Sequence, residues 1–140
     1  MKTELDMVRS TSPSIEIKHP FAMAAARKRL NEAANSLVHG AVLKNDLPAL
    51  SAGLATTMIA TARTLVGLGL EPDLENFVYA AAELVGNTRK VMDDALRFGN
   101  LDDFKLASVM MEITLKGIAS TLSLPLEELM KAELAKEVVE

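Results

Sequence analysis

The chain has 140 residues, a formal net charge of −4 and no cysteine, and 49% of its residues are hydrophobic. This length suits a single domain, and the lack of cysteine excludes both a disulfide framework and a thiolate metal site. With no recognisable signal peptide, we predict a cytoplasmic protein, and the acidic balance argues against nucleic acid as a partner.

The first 19 residues are polar and contain two steps into proline, at Ser12 and His19. Because a residue before proline is biased away from the helical conformation, these steps disfavour helix. We therefore predict an irregular N-terminal arm over residues 1–19 and a single helical domain over residues 20–140.

Within that domain, apolar residues recur at steps of three and four, which is typical of amphipathic helices. The stripe Leu74, Leu84 and Val91 is predicted to face inward. Asp46 is suited to cap a helix start, and Gly69 is suited to a left-handed helix stop. The predicted helices span about 21–44, 47–68, 74–98, 101–122 and 125 onward.

The segment from Leu47 to Leu70 contains a single charged residue, Arg63. A helix without a polar face needs cover on all sides, so Ala55 and Ala62 are both predicted to be buried. The segment also holds five serine and threonine residues, three glycines and one proline, which argues against a membrane span. We therefore expect a second subunit to complete its cover, and predict a homodimer.

The chain also carries an internal repeat at a spacing of 54 residues. Leu30 matches Leu84, and Leu50 matches Phe104. This repeat predicts two helical hairpins, at about 27–72 and 81–126, packed as a four-helix bundle with an additional C-terminal helix. A chance hydrophobic match between two similar hairpins is the alternative.

Four sequence features resemble one enzyme family. They are Arg29-Leu30-Asn31-Glu32, the segment AVLKNDL over residues 41–47 and the segment LVGLGLEPDLENF over residues 65–77; Asn87-Thr88-Arg89-Lys90 is similar to the tail after the family's third helix. The family is the all-α nucleoside triphosphate pyrophosphohydrolases, the MazG and phosphoribosyl-ATP pyrophosphohydrolase group. The resemblance implies a MazG-like helical fold.

The resemblance also implies a metal site, in which four carboxylates on facing helices hold Mg²⁺. The corresponding positions here are Glu32, Asn35, Gly53 and Thr56, so Glu32 is the only retained acid. We therefore predict no metal site and no catalytic residue, with Mg²⁺ as a cofactor only if the family activity survives. A register error in this assignment is the alternative.

The predicted function is thus a non-catalytic nucleotide-sensing or protein-interaction module with a degenerate metal site. Two alternatives remain: a nucleoside triphosphate pyrophosphohydrolase with an altered active site, and a structural assembly subunit. The candidates for ligand binding are the basic and amide side chains of Arg27, Asn87, Arg89 and Lys90, which would converge on a phosphate if the two odd-numbered helices lie side by side. Solvated helix surfaces are the alternative.

Other polar residues have ordinary structural interpretations. His39 is expected at the surface or at a helix C-terminus, and Glu112 is expected to form a surface ion pair with Lys116. The acid pairs Asp93-Asp94 and Asp102-Asp103 are expected to flank a solvated turn. The eight methionines are expected to fill the core, with an adaptable binding surface as the alternative.

Overall fold

The computed structural model describes residues 1–40 and 45–139, and this part of the chain is helical and contains no strand. The all-α class is thereby confirmed. A short 3₁₀ turn at Arg9–Thr11 follows the first helix. The helices are α1 (Lys2–Val8), α2 (Pro20–Val38), α3 (Leu47–Leu68), α4 (Leu74–Arg97), α5 (Leu101–Thr121) and α6 (Leu126–Val139).

The predicted signals at the helix ends act as expected. Asp46 Oδ1 accepts a hydrogen bond from the Ala49 backbone N–H at 3.3 Å, and Gly69 ends α3 with a φ of 69°. The predicted end of the first long helix at Lys44, and with it the segment AVLK, lies outside the described residues.

The chain divides into two compact units, Met1–Pro72 and Asp73–Glu140, where the sequence predicted one domain from residue 20 to residue 140. The first unit contains α1 and the hairpin of α2 and α3. The second contains the hairpin of α4 and α5, followed by α6. Each predicted hairpin is therefore present.

The prediction of an irregular arm over residues 1–19 is wrong for its first half, because Lys2–Val8 is helical. Leu5 and Val8 are buried against Ala62 of α3, with Leu65 and Val66 beside them. The Ile15 backbone N–H also donates to the Gly67 carbonyl oxygen at 2.7 Å. The arm is held because its few apolar residues cover the apolar surface of α3.

Small residues form the line of contact between α2 and α3. Ala26 and Ala33 are buried on α2, and Gly40 is buried seven residues further on, just after the end of the helix; Gly53 is buried on α3 against Leu37. A seven-residue spacing returns to nearly the same side of a helix, so these residues form one seam. Side chains this short allow the two backbones to approach closely.

The second hairpin repeats this arrangement. Ala81, Thr88 and Ala95 are buried on α4, and Ala107 is buried on α5. The larger apolar residues predicted to face inward lie beside this seam and remain accessible: Leu74 is 65% exposed, Leu84 56% and Val91 45%. The predicted inward stripe was therefore wrong in its large members, because the close helix contact admits only small side chains.

Two further core predictions were also wrong. No methionine is fully buried in the described part of the chain, so the methionines line surfaces instead of filling the core. In the described part of the chain, α3 is covered by the helices α1 and α2, by the 3₁₀ turn and by Ile15; Ala55 and Leu54 are exposed, although Ala62 is buried as predicted. Cover by a second subunit stays a prediction. Two neighbouring helices are too few to enclose a helix of 22 residues on all sides.

By length and composition alone, α3 is apolar enough to cross a membrane, and Leu101–Thr121 with Leu126–Glu137 passes the same test as a pair bent by 107°. A mostly buried core helix of a water-soluble protein also passes this test, but only 17% of the apolar window of α3 is buried. The absence of a membrane partner stays a prediction.

Candidate functional site

A cleft runs along one side of the seam between α2 and α3. It has a volume of about 340 Å³, and Glu32 and Thr56, two positions singled out by the family resemblance, both line it. Two arginines, Arg29 and Arg63, line the same cleft. The remaining lining residues are Ala33, Ser36, Ile59 and Ala60.

The other two family positions have different surroundings. Asn35 lines an adjoining cleft of about 520 Å³ together with His39, and Ser36 belongs to both clefts. Gly53 lies in the seam itself, where a Cβ atom would lie 2.8 Å from the Leu37 Cα and 3.1 Å from its backbone nitrogen. A carboxylate side chain at position 53 is therefore incompatible with this helix contact.

The cleft lacks the ligands of a divalent cation. No group of three or more histidine, cysteine, aspartate or glutamate side chains suited to a metal exists within residues 1–40 and 45–139. Glu32 is the one acid that lines the cleft, and its Oε1 atom lies 3.8 Å from Lys28 Nζ in an exposed pair. A single carboxylate leaves Mg²⁺ mostly hydrated and without fixed geometry.

The predicted phosphate-binding residues belong to both units. Arg27 is exposed on α2, while Asn87, Arg89 and Lys90 are exposed on α4. At about 100° per residue, Asn87 and Lys90 lie roughly 60° apart around α4, but Arg89 is about 160° from Asn87. The α4 residues therefore do not share one side of their helix, and convergence with Arg27 stays a prediction.

The buried seams also correct the register of the internal repeat. Gly53 and Ala107 are 54 residues apart, as predicted, but Ala33 and Thr88 are 55 apart, as are Ala26 and Ala81. The spacing between equivalent buried residues is thus one residue longer for the first helices of the two hairpins than for the second helices. Relative to the buried residues of its helix, Leu30 therefore has the position of Val85, one residue beyond its sequence match Leu84.

The ordinary structural interpretations of the other polar residues agree with their positions. His39 is exposed at the C-terminal end of α2. Asp103 accepts a hydrogen bond from the Asn100 side chain at 2.7 Å beside the α4–α5 turn. Lys116 Nζ lies 2.7 Å from Glu112 Oε1, and this hydrogen-bonded ammonium lowers the pKa of Glu112.

The role of Arg63 in the cleft was missed at the sequence level. It was noted only as the one charge in an apolar helix, but its Nη2 atom donates to Thr11 Oγ1 at 3.3 Å and its side chain lines the cleft. The sequence could have indicated this position through helical phase, because Arg63 lies seven residues after Thr56 and therefore on the same side of α3.

Comparisons with known proteins leave the family unassigned. No family model, curated protein or solved structure matches this chain significantly. The MazG-like resemblance therefore depends on the sequence features quoted above.

Proposed function

We propose that this chain is a non-catalytic interaction module, a MazG-like helical bundle that self-associates as a homodimer. The observation that carries the proposal is the amount of apolar side-chain surface left open beside the two seams. Exposed leucine, valine, isoleucine and methionine residues occur along α3, α4 and α5. Contiguous apolar surface of this kind marks interaction sites on proteins.

The first hairpin is apolar on one side of its seam only. Helical phase places the half-buried Met23, Leu30, Leu37 and Leu50 on the side opposite the cleft, together with the exposed Leu54. We call this side the Leu37 flank. The side that holds the cleft is mixed, because two arginines and a glutamate lie there beside Ile59 and Ala60.

The second hairpin is apolar on both sides. One side, the Met92 flank, consists of half-buried residues: Val85, Met92, Phe104 and Met111. The other side, the Met110 flank, is more open: Leu84 is 56% exposed, Leu106 64%, Met110 43% and Ile113 67%. Methionine is frequent on adaptable binding surfaces because its side chain is flexible and polarisable.

The exposure of the apolar flanks favours a dimer. The Leu37 and Met92 flanks occupy equivalent places in the two repeats, and most of their residues are half-buried. The Met110 flank is more open, because all four of its residues are exposed. A second copy would cover it in a twofold interface, because such an interface uses the same surface on both subunits.

The proposal predicts that Met110→Glu gives a folded monomer. A carboxylate in the centre of an apolar interface loses its hydration without gaining a partner, so we expect the dissociation constant to rise by at least about 100-fold. Light scattering gives the mass, and circular dichroism gives the helix content. Lys105→Glu, on the outer side of α5, is the matched control and should leave the mass unchanged. A Met110→Glu variant with the mass of the wild type would contradict this interface.

The non-catalytic part of the proposal has its own test. We predict no appreciable Mg²⁺-dependent release of pyrophosphate from common nucleoside triphosphates, because Glu32 alone cannot fix the metal for in-line attack. The measurement is a pyrophosphate assay of purified protein over a panel of these substrates. Robust turnover that Glu32→Gln abolishes would establish instead the alternative function, a pyrophosphohydrolase with an altered site.

A further inference from the structure

Two arginines line one cleft of the first hairpin, Arg29 from α2 and Arg63 from α3. We propose that this cleft binds a phosphate-bearing small molecule without a metal ion. The inference goes beyond self-association and does not depend on it, because all the residues that carry it belong to the first unit.

The charges at the cleft favour an anion. Its lining has two arginines and one acid, and Lys28 lies close to that acid, with Nζ 3.8 Å from Glu32 Oε1. The local balance is therefore positive in a chain whose formal net charge is −4. Arginine is the residue best suited to phosphate, since its planar group donates two parallel hydrogen bonds to phosphate oxygens.

The two arginines differ in how firmly they are held. Arg63 Nη2 donates to Thr11 Oγ1 at 3.3 Å, which restrains the side chain and leaves its other N–H groups to a ligand. Arg29 forms no ion pair within the described part of the chain. One restrained donor and one available donor on facing helices suit a ligand that bridges α2 and α3.

The other polar groups of the cleft indicate that the arginines are the main donors. The Ser36 hydroxyl donates to the Glu32 carbonyl oxygen at 2.9 Å, and the Thr56 hydroxyl donates to the Ala52 carbonyl oxygen at 2.5 Å. Both hydroxyl hydrogens are thus used within their own helices. Phosphate recognition here therefore depends on Arg29 and Arg63.

The size of the cleft limits the class of ligand. A volume of about 340 Å³ lies at the low end for small-molecule sites, and it leaves room for a phosphate or diphosphate group. The adjoining cleft of about 520 Å³ has the amide of Asn35 and the imidazole of His39, which suit a polar organic group. Inorganic pyrophosphate and a nucleoside diphosphate are the appropriate probes, and their comparison shows whether the organic part contributes.

The test is isothermal titration of the full chain with pyrophosphate and with adenosine diphosphate at low salt, in the presence of a chelator. We expect binding without Mg²⁺, and a loss of at least about tenfold in affinity for Arg29→Gln and for Arg63→Gln. Arg97→Gln, an exposed arginine of the second unit, is the matched control and should bind like the wild type. Melting curves check that each variant is folded, and Arg29→Gln tests the site even if Arg63→Gln is unstable.

Glu32→Gln gives the sharpest distinction, because a metal-free site and a metal site predict opposite results. Removal of a negative charge near a bound phosphate should tighten metal-free binding by about threefold, as expected for unit charges some 6 Å apart in water. A metal site would instead lose binding. The inference is overturned if pyrophosphate fails to bind the wild type at millimolar concentration, if binding requires Mg²⁺ and disappears in Glu32→Gln, or if Arg97→Gln weakens binding as much as Arg29→Gln.

Discussion

Ala62→Glu is expected to unfold the first unit. Ala62 is 1% exposed and lies against Leu5 and Val8, so a glutamate there must displace α1 or bury an unpaired carboxylate. Overpacking and charge burial together should cost at least about 3 kcal/mol, which corresponds to a fall of more than about 10 °C in the melting temperature of a unit of this size. Thermal unfolding followed by circular dichroism measures the change.

Ala55→Glu is the matched control, with the same substitution on the same helix. Ala55 is exposed in the first unit, on a part of α3 that neither α1 nor α2 covers. Surface substitutions of this kind usually change stability by less than about 0.5 kcal/mol. Equal melting temperatures for the two variants would contradict the contact between α1 and α3.

Gly53→Glu is expected to destabilise the hairpin without restoring a metal site. The Cβ atom would lie 2.8 Å from the Leu37 Cα. Because the Leu37 Cα is a backbone atom, the contact is relieved only if the two helices move apart and the seam is lost. The expected cost is roughly 1–3 kcal/mol for the overpacking alone. Thermal unfolding with and without Mg²⁺ is the measurement.

Thr56→Glu provides the comparison, because Thr56 is the other second-helix position and lies exposed at the cleft. This variant should retain its melting temperature. A Gly53→Glu variant that melts like the wild type and gains stability from Mg²⁺ would show that the helices tolerate an acid at this position, contrary to the close contact.

The helix boundaries were predictable because their signals are local. Asp46 caps α3 through the Ala49 N–H only three residues ahead, and Gly69 adopts the positive φ that ends the same helix. The helix α1 was missed because its stability is not local. Its seven residues gain their cover from Ala62, far away in sequence, and no pattern within so short a segment indicates that contact.

The core was predicted less well, since the prediction assumed that the largest apolar residues face inward. In both hairpins the seam consists of small residues at seven-residue spacing, such as Ala26 and Ala33 in α2 and Ala81 in α4. That spacing is visible in the sequence. The reason why the seam excludes large side chains is visible only in the structure, where Gly53 closely approaches the backbone of Leu37.

The candidate site was predictable in part. The resemblance singled out Glu32 and Thr56, which line one cleft on facing helices. It gave no indication of Arg63, which the sequence places among apolar residues. The pairing of Arg63 with Arg29 depends on the relative rotation of two helices, and that rotation is set by the small-residue seam.

The mass of the wild-type chain at micromolar concentration tests the central claim most directly. Sedimentation equilibrium should give twice the chain mass of 15.1 kDa, because the open Met110 flank needs a second copy to cover it. A single species of 15.1 kDa with its full helix content would contradict the claim that this chain is a self-associating interaction module.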